Sequence, residues 1–130
     1  MVYSKDEVAA LAAVLVNYPD TWIIADDIYH RMVFDGLGYH NLMESEPSLR
    51  DRLIFVDSLS KTYGMPGWRV GFIAAPESVA KAVTTLNSNH ITTIPEVITA
   101  AAVAALNGSQ AVPEQTNKEF EGTRNLVMDA

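Results

Sequence analysis

The chain has 130 residues, of which 48% are hydrophobic and 19% are charged, and it contains no cysteine. This length and composition predict one globular domain with its own core, and they exclude disulfides and thiolate metal sites. The formal net charge of −7 argues against a nucleic-acid partner. No apolar run is long enough to cross a bilayer, which predicts no membrane partner. No signal peptide is visible, so we expect a cytoplasmic location.

The first predicted elements are a helix and a buried strand. Ser4-Lys5-Asp6-Glu7 has the pattern of a capping box, in which a hydroxyl and a carboxylate satisfy each other's backbone donors. Apolar residues then recur at helical spacing until Asn17-Tyr18-Pro19 ends the helix. The stretch Trp22–Ile28 is apolar at its start and predicts a buried strand whose carboxyl end meets Asp26 and Asp27.

Two more strands and two helices are predicted after a region without a clear period. Residues 35–51 are turn-rich, and the apolar stretches Leu53–Val56 and Val70–Ala74 then predict strands. Pro76 and Pro95 each suit the first turn of a helix. These elements alternate in the way that is typical of a layered α/β structure.

The end of the chain predicts helix as well. Asn107-Gly108 is a stop signal for the second of those helices, and a weaker helical pattern starts at Pro113, with Phe120 and Val127 on one face. We therefore expect a sheet of about three strands with flanking helices. So few strands leave sheet edges bare, which predicts self-association, strand exchange or marginal stability.

The stretch Ser58–Phe72, SLSKTYGMPGWRVGF, combines a lysine with hydroxyl groups and a second cation. The neutral amine of a lysine such as Lys61 attacks aldehydes and forms a Schiff base. The hydroxyls of Ser58 and Ser60 and the guanidinium of Arg69 are donors that a phosphate monoester accepts. A phosphate-bearing aldehyde would use all of these groups, and pyridoxal phosphate is one.

Such a cofactor also needs a carboxylate at its ring nitrogen. Asp26 ends a separate predicted strand, and the carboxyl ends of neighbouring parallel strands lie along the same edge of a sheet. We therefore expect Asp26 on the same rim as Ser58, with Tyr29 close enough to donate to the phenolic oxygen of the ring.

These residues closely resemble two motifs of the class I/II aminotransferases, the fold-type I enzymes that use pyridoxal phosphate. The family shows S-x-S-K followed by G-W-R-x-G-[FY], matched here by Ser58–Lys61 and Gly67–Phe72, and D-[DE]-I-Y, matched by Asp26–Tyr29. The resemblance covers essentially the whole chain. It implies that residues 1–130 are part of the large, cofactor-binding domain, without a complete second domain, and that the last strand runs antiparallel.

The resemblance also implies roles for individual residues. Lys61 is the catalytic residue, which forms the Schiff base and then acts as the base in the proton shift. The residues implied to bind the cofactor together with Lys61 are Asp26 at the ring nitrogen, Tyr29 at the ring oxygen, and Ser58, Ser60 and Arg69 at the phosphate. The implied substrates are an amino acid and a 2-oxo acid, and the implied assembly is a homodimer. No metal is expected, because the three histidines are widely separated in the sequence.

Other functions stay open. The same cofactor supports a carbon–sulfur lyase, a racemase or a synthase, because the groups that choose the bond to be broken lie mainly in parts of the family's pattern that this sequence lacks. Those parts include the phosphate-binding loop, the aromatic residue that stacks on the ring and the carboxylate-binding arginine. A catalytically silent fragment, or an unrelated α/β binding domain with a chance match, is the remaining alternative.

Ordinary structural roles stay open for the same residues. Lys61 is a surface lysine in that case, Arg69 a salt-bridge partner, and Asp26 a strand-end acid. The two serines are then turn residues, and Tyr29 belongs to the core.

Overall fold

A computed structural model describes residues 2–130 as a mixed α/β arrangement. The helices and strands, in chain order, are α1 (Lys5–Val16), β1 (Ile23–Asp26), α2 (Leu42–Ser45), β2 (Leu53–Ser58), α3 (Leu59–Thr62), β3 (Gly71–Ala74), α4 (Glu77–His90), α5 (Glu96–Asn107) and α6 (Ala111–Met128). Two 3-10 helices, Pro47–Arg52 and Pro66–Trp68, precede β2 and β3. No helix between residues 2 and 130 has both the length and the apolar character that crossing a membrane requires.

The strands form one sheet in the order β1-β2-β3. β1 runs parallel to β2, with Asp26 opposite Val56, and β3 runs antiparallel to β2, with Gly71 opposite Ser58. The predicted fold class and the antiparallel last strand are confirmed. This register places the end of β1 two residues from the end of β2, so the residues that follow both strands meet at one rim.

The first core cluster holds the parallel pair of strands in place. It consists of Ala12 from α1, Ile23 from β1, Leu49 and Leu53, all of them at most 8% exposed. α1 is fixed at its start by the predicted capping box, in which the backbone N–H of Ser4 donates to the Glu7 carboxylate at 2.8 Å. The cluster packs against one side of β1 and β2.

A second cluster anchors the short helix α3. Leu59 is 1% exposed and packs with Val70, which precedes β3, and with Ala102 from α5. Because α3 has a single turn, this packing rather than helix propensity stabilises it. α3 carries Lys61, so the second cluster positions the lysine.

The predicted strand Trp22–Ile28 is wrong in its length and its burial. β1 has only four residues, and Ile24 and Trp22 are 69% and 53% exposed. Its apolar run is typical of a strand that is covered on both faces. Within residues 2–130, packing at β1 covers the side of Ile23 and leaves the side of Ile24 open.

Two helices were not predicted as the structure has them. The turn-rich residues 35–51, which have no clear period, contain α2 and most of a 3-10 helix, and Asn41 caps α2 by accepting from the backbone of Glu44 at 2.9 Å. α6 begins before the predicted start at Pro113, because proline is tolerated in the first turn of a helix. Phe120 and Val127 are 47% and 70% exposed, so their shared face is not part of the core.

Gly71 permits the close approach of β3 to the end of β2. A Cβ atom at Gly71 would lie 2.9 Å from the backbone oxygen of Asp57 and 3.2 Å from the Cβ of Ser58. We expect Gly71→Ala to destabilise the chain by about 1–3 kcal/mol, because the backbone at this point cannot move aside without breaking the ladder.

The matched control for that substitution is Gly67→Ala, since no atom lies within 4 Å of a Cβ at Gly67. The measurement is the free energy of unfolding in urea. Equal stability of the two variants would contradict the tight β2–β3 contact.

α6 is held by polar contacts to the loop that follows the β1 rim. Arg124 donates to both carboxylate oxygens of Asp35 at 2.6 Å, and the backbone N–H of Asp35 donates to Glu121 at 2.6 Å. Asn117 donates to the backbone oxygen of Val33 at 2.9 Å. These contacts join segments more than eighty residues apart in sequence.

The Asp35–Arg124 pair predicts a pH dependence of stability. Hydrogen bonds from Arg124 hold the pKa of the Asp35 carboxyl below its ordinary value of 3.8. A carboxyl whose pKa is lowered on folding contributes stability above its unfolded pKa and loses that contribution as the pH falls through its folded pKa. We expect Asp35→Asn to be less stable than the unsubstituted chain at pH 7, and this difference in stability to shrink as the pH falls below 3.8 towards 2.

Asparagine also tolerates the left-handed backbone of Asp35, where φ is 61°, so this variant isolates the charge. Urea unfolding midpoints at the two pH values provide the measurement. A stability difference that persists unchanged at pH 2 would show that the carboxylate charge is not its cause.

Candidate functional site

The rim at the ends of β1 and β2 brings several predicted site residues together. Asp26 is the last residue of β1 and is exposed. The next residue, Asp27, stays tied to β2, since its backbone N–H donates to the Val56 oxygen at 3.0 Å. The chain then turns, and this turn carries Tyr29.

Tyr29 and Lys61 are in contact across the rim. The Nζ atom of Lys61 lies 5.4 Å from the centroid of the Tyr29 ring, within the distance of a cation–π interaction. Lys61 is half-buried and Tyr29 is 54% exposed. The turn after β1 and the helix after β2 therefore place an amine beside a phenol.

Ser58 begins the helix that carries Lys61. Its Oγ atom accepts a hydrogen bond from the backbone N–H of Ser60 at 3.3 Å, which caps α3. Both serines are half-buried. The S-x-S-K spacing thus puts two hydroxyls and the lysine on one helical turn directly after a strand.

Arg69 adopts a left-handed backbone conformation, with φ at 52°. For a residue other than glycine this conformation costs roughly 1–3 kcal/mol, and such positions are concentrated at functional sites. The guanidinium donates to the Pro66 oxygen at 3.0 Å, which holds it on its own turn. This turn leads into β3, whose first residue pairs with Ser58.

Ser58, Ser60 and Arg69 line a single pocket of about 450 Å³. Asp57 and Asn87 also line it. Two hydroxyls and a guanidinium in one pocket fit the phosphate of the cofactor that the sequence implies.

The other predicted site residues lie outside the lining of that pocket. Lys61 and Tyr29 meet each other on the rim, and Asp26 ends the neighbouring strand. A larger pocket of about 680 Å³ lies elsewhere, on apolar side chains of the sheet such as Leu53 and Phe55, and none of the predicted site residues lines it. The larger pocket therefore does not contain the predicted phosphate donors, whereas the smaller pocket contains three of them.

Asp57 is a buried acid that the sequence analysis missed. It is 7% exposed, its Oδ1 atom accepts from the backbone N–H of Ser58 at 2.7 Å, and its Oδ2 atom lies 3.6 Å from Nδ1 of His30. A signal was present, because strand alternation places Asp57 on the side of the buried Leu53. A carboxylate at such a position requires a partner.

Tyr39 lies next to this pair. Its ring is 5.5 Å from the His30 ring, and its hydroxyl is buried without a hydrogen-bond partner among residues 2–130. Burial raises the pKa of the Tyr39 phenol, and the nearby carboxylate of Asp27 raises it further. Tyr39 is therefore neutral at physiological pH.

In the described part of the chain there is no group of three or more acidic or histidine side chains that could hold a metal.

Comparison with known proteins identifies the family. The family model described as aminotransferase class I and II matches residues 1–129. The aspartate aminotransferase of Rhizobium meliloti is 35% identical over 127 residues, which are 98% of this chain and 31% of that protein. The aspartate/prephenate aminotransferase of Nitrosomonas europaea is 37% identical over 129 residues, or 99% of this chain and 32% of that protein.

A solved structure shows the same arrangement. The crystal structure of the aspartate aminotransferase from Rhizobium meliloti superposes with a TM-score of 0.94 at 33% identity, covering 98% of this chain and 32% of that one. The chain thus spans about a third of the length of the relatives that it matches. The family model covers nearly every residue, and the chain therefore belongs to the aminotransferase class I and II family.

Proposed function

We propose that this chain forms part of the large domain of an enzyme that uses pyridoxal phosphate to move an amino group between an amino acid and a 2-oxo acid. The observation that carries the proposal is the pocket lined by Ser58, Ser60 and Arg69, on the segment that also places Lys61 beside Tyr29. The family is enzymatic, and the matched relatives are named as aminotransferases.

Each residue of the rim has a role in this proposal. The cofactor supplies an aldehyde and a ring that withdraws electrons. Lys61 would hold the cofactor at its aldehyde carbon through Nζ, and the same amine would hold and return the proton that moves in the amino transfer. Ser58 and Ser60 donate to the phosphate through Oγ, and the Arg69 guanidinium offers it a charged fork.

The two residues after the first strand act on the ring. The Asp26 carboxylate keeps the ring nitrogen protonated by pairing with it, since an opposite charge favours the protonated form. The Tyr29 hydroxyl donates to the phenolic oxygen. The register of β1 with β2 supports these roles, because it places the ends of both strands on one rim.

The relatives' names favour an acidic amino acid such as aspartate as the amino donor. This chain spans about a third of the length of those relatives. In an enzyme as long as the relatives, segments outside these 130 residues would contribute to the choice of amino donor. The homodimer and the cytoplasmic location stay predictions.

A chimera tests the proposed function. This chain replaces the matched third of the Rhizobium meliloti aspartate aminotransferase, and transfer from aspartate to a 2-oxo acid is measured with added pyridoxal phosphate. We expect transfer that is lost in the chimera with Lys61→Ala. A folded chimera, judged by circular dichroism and by its melting curve, that binds the cofactor without any transfer would favour the silent-fragment alternative.

A further inference from the structure

A buried carboxylate lies beside the pocket that we propose for the phosphate. Asp57 lines this pocket together with Ser58, Ser60 and Arg69. It is 7% exposed, and its Oδ1 atom accepts from the backbone N–H of Ser58 at 2.7 Å. A negative charge is thus held within one residue of a proposed phosphate ligand.

A carboxylate in this place opposes the binding of an anion. The repulsion between like charges grows as their surroundings become less polar, and burial removes the water that would screen Asp57. The pocket contains a single cation, Arg69, among its lining residues. Without compensation, Asp57 would cancel much of the attraction that Arg69 exerts on a phosphate.

His30 is in a position to supply that compensation. Its Nδ1 atom lies 3.6 Å from Oδ2 of Asp57 and 3.0 Å from the backbone oxygen of Asp27. Both neighbours are hydrogen-bond acceptors, so the geometry assigns the hydrogen to Nδ1. The imidazole donates this hydrogen to the Asp27 oxygen, and the same polarised N–H lies 3.6 Å from the Asp57 carboxylate.

We propose that His30 offsets the charge of Asp57 and thereby sets the affinity of the pocket for a phosphate ester. Neither residue needs to touch the ligand, so both act through Ser58 and through the electric field in the pocket. This inference rests on the proposed function, since it takes the pocket to be the phosphate site. It goes beyond that function by making a side chain from the turn after β1 a determinant of anion affinity.

A purely structural role for the pair predicts a different result. If Asp57 serves only to hold the Ser58 backbone, Asp57→Asn weakens anion binding because the hydrogen bond to Ser58 becomes weaker. If the charge dominates, Asp57→Asn strengthens anion binding, since asparagine keeps an acceptor oxygen and removes the repulsion. The sign of this one change separates the two roles.

The experiment titrates the 130-residue chain with pyridoxal 5′-phosphate and, separately, with pyridoxal, which has the aldehyde but no phosphate. The ratio of the two dissociation constants reports the contribution of the phosphate. The variants are His30→Gln, Asp57→Asn and the double variant, and His40→Gln is the control because His40 is also half-buried. Circular dichroism and melting curves check the fold of each variant.

We expect His30→Gln to reduce the preference for the phosphate ester by about three- to ten-fold, because the Asp57 carboxylate then acts on the pocket without the imidazole beside it. Asp57→Asn should exceed the preference of the unsubstituted chain, the double variant should at least match that preference, and His40→Gln should leave it unchanged. Restoration in the double variant also shows that the loss in His30→Gln is not a folding defect.

Three results would overturn the inference. In one, His30→Gln leaves the preference unchanged. In another, the affinities for both ligands fall together, and in the third Asp57→Asn weakens the preference. If the unsubstituted chain itself shows no preference for the phosphate ester, the proposed phosphate pocket fails and the inference fails with it.

Discussion

Arg69→Ala is expected to lower the affinity of the chain for pyridoxal 5′-phosphate by about ten- to a hundred-fold, because a hydrogen bond to a charged group contributes roughly 1.5–3 kcal/mol. Arg69 is the cation among the residues that line the pocket with Ser58 and Ser60. Its left-handed backbone and its hydrogen bond to Pro66 fix the side chain before any ligand binds. Affinity for pyridoxal, which lacks the phosphate, should change little.

Two further variants sharpen this prediction. Arg69→Lys keeps the charge but loses the two-pronged donor geometry. Its affinity for the phosphate ester should therefore lie between those of the unsubstituted chain and Arg69→Ala. Arg50→Ala is the control, because Arg50 is exposed and lines the other, larger pocket. The measurement is an equilibrium titration of each protein with both ligands. An Arg69→Ala chain that binds the phosphate ester normally would remove Arg69 from the site.

Leu59→Ala is expected to destabilise the chain by about 2–5 kcal/mol, the usual cost of emptying a fully buried leucine site. Leu59 is 1% exposed and packs with Val70 and Ala102. Natural domains of this size are stable by only about 5–15 kcal/mol, so the loss is a large part of the total. Because Leu59 anchors the turn of helix that carries Lys61, the lysine should also lose its fixed place beside Tyr29.

The matched control is Leu86→Ala on α4, since Leu86 is 57% exposed. A surface change of this kind stays within about 0.5 kcal/mol. Urea unfolding gives both values, and tryptophan fluorescence, from Trp22 and Trp68 together, gives an independent probe. If both leucine variants unfold at the same urea concentration, the second core cluster does not hold α3.

Much of the fold could be predicted because local chemistry determines it. The capping box at Ser4 and the stop at Gly108 depend on neighbouring residues alone, and both are present. The openness of β1 could not be predicted in this way. The apolar residues around Ile24 indicate a strand that is stable when both of its faces are covered. Whether Ile24 is buried depends on a second layer of packing from other segments, which the strand's own residues do not determine.

The candidate site likewise has a part that local sequence determines and a part that depends on contacts between distant segments. Ser58, Ser60 and Lys61 are local to one strand end and one helical turn, so their motif indicates their arrangement. The pairing of His30 with Asp57 joins the turn after β1 to the end of β2, and the parallel register of the two strands brings these residues together. The predicted strand ended at Val56, whereas β2 continues to Ser58, which is why the buried position of Asp57 was missed.

The most direct test of the central claim is to trap the cofactor on the protein. The 130-residue chain is incubated with pyridoxal 5′-phosphate, reduced with borohydride and digested, and the modified lysine is mapped by mass spectrometry. We predict one stoichiometric adduct on Lys61, absent from Lys61→Ala. Scattered, sub-stoichiometric labelling of Lys5, Lys81 and Lys118 would contradict the claim that the rim of this chain is a cofactor site.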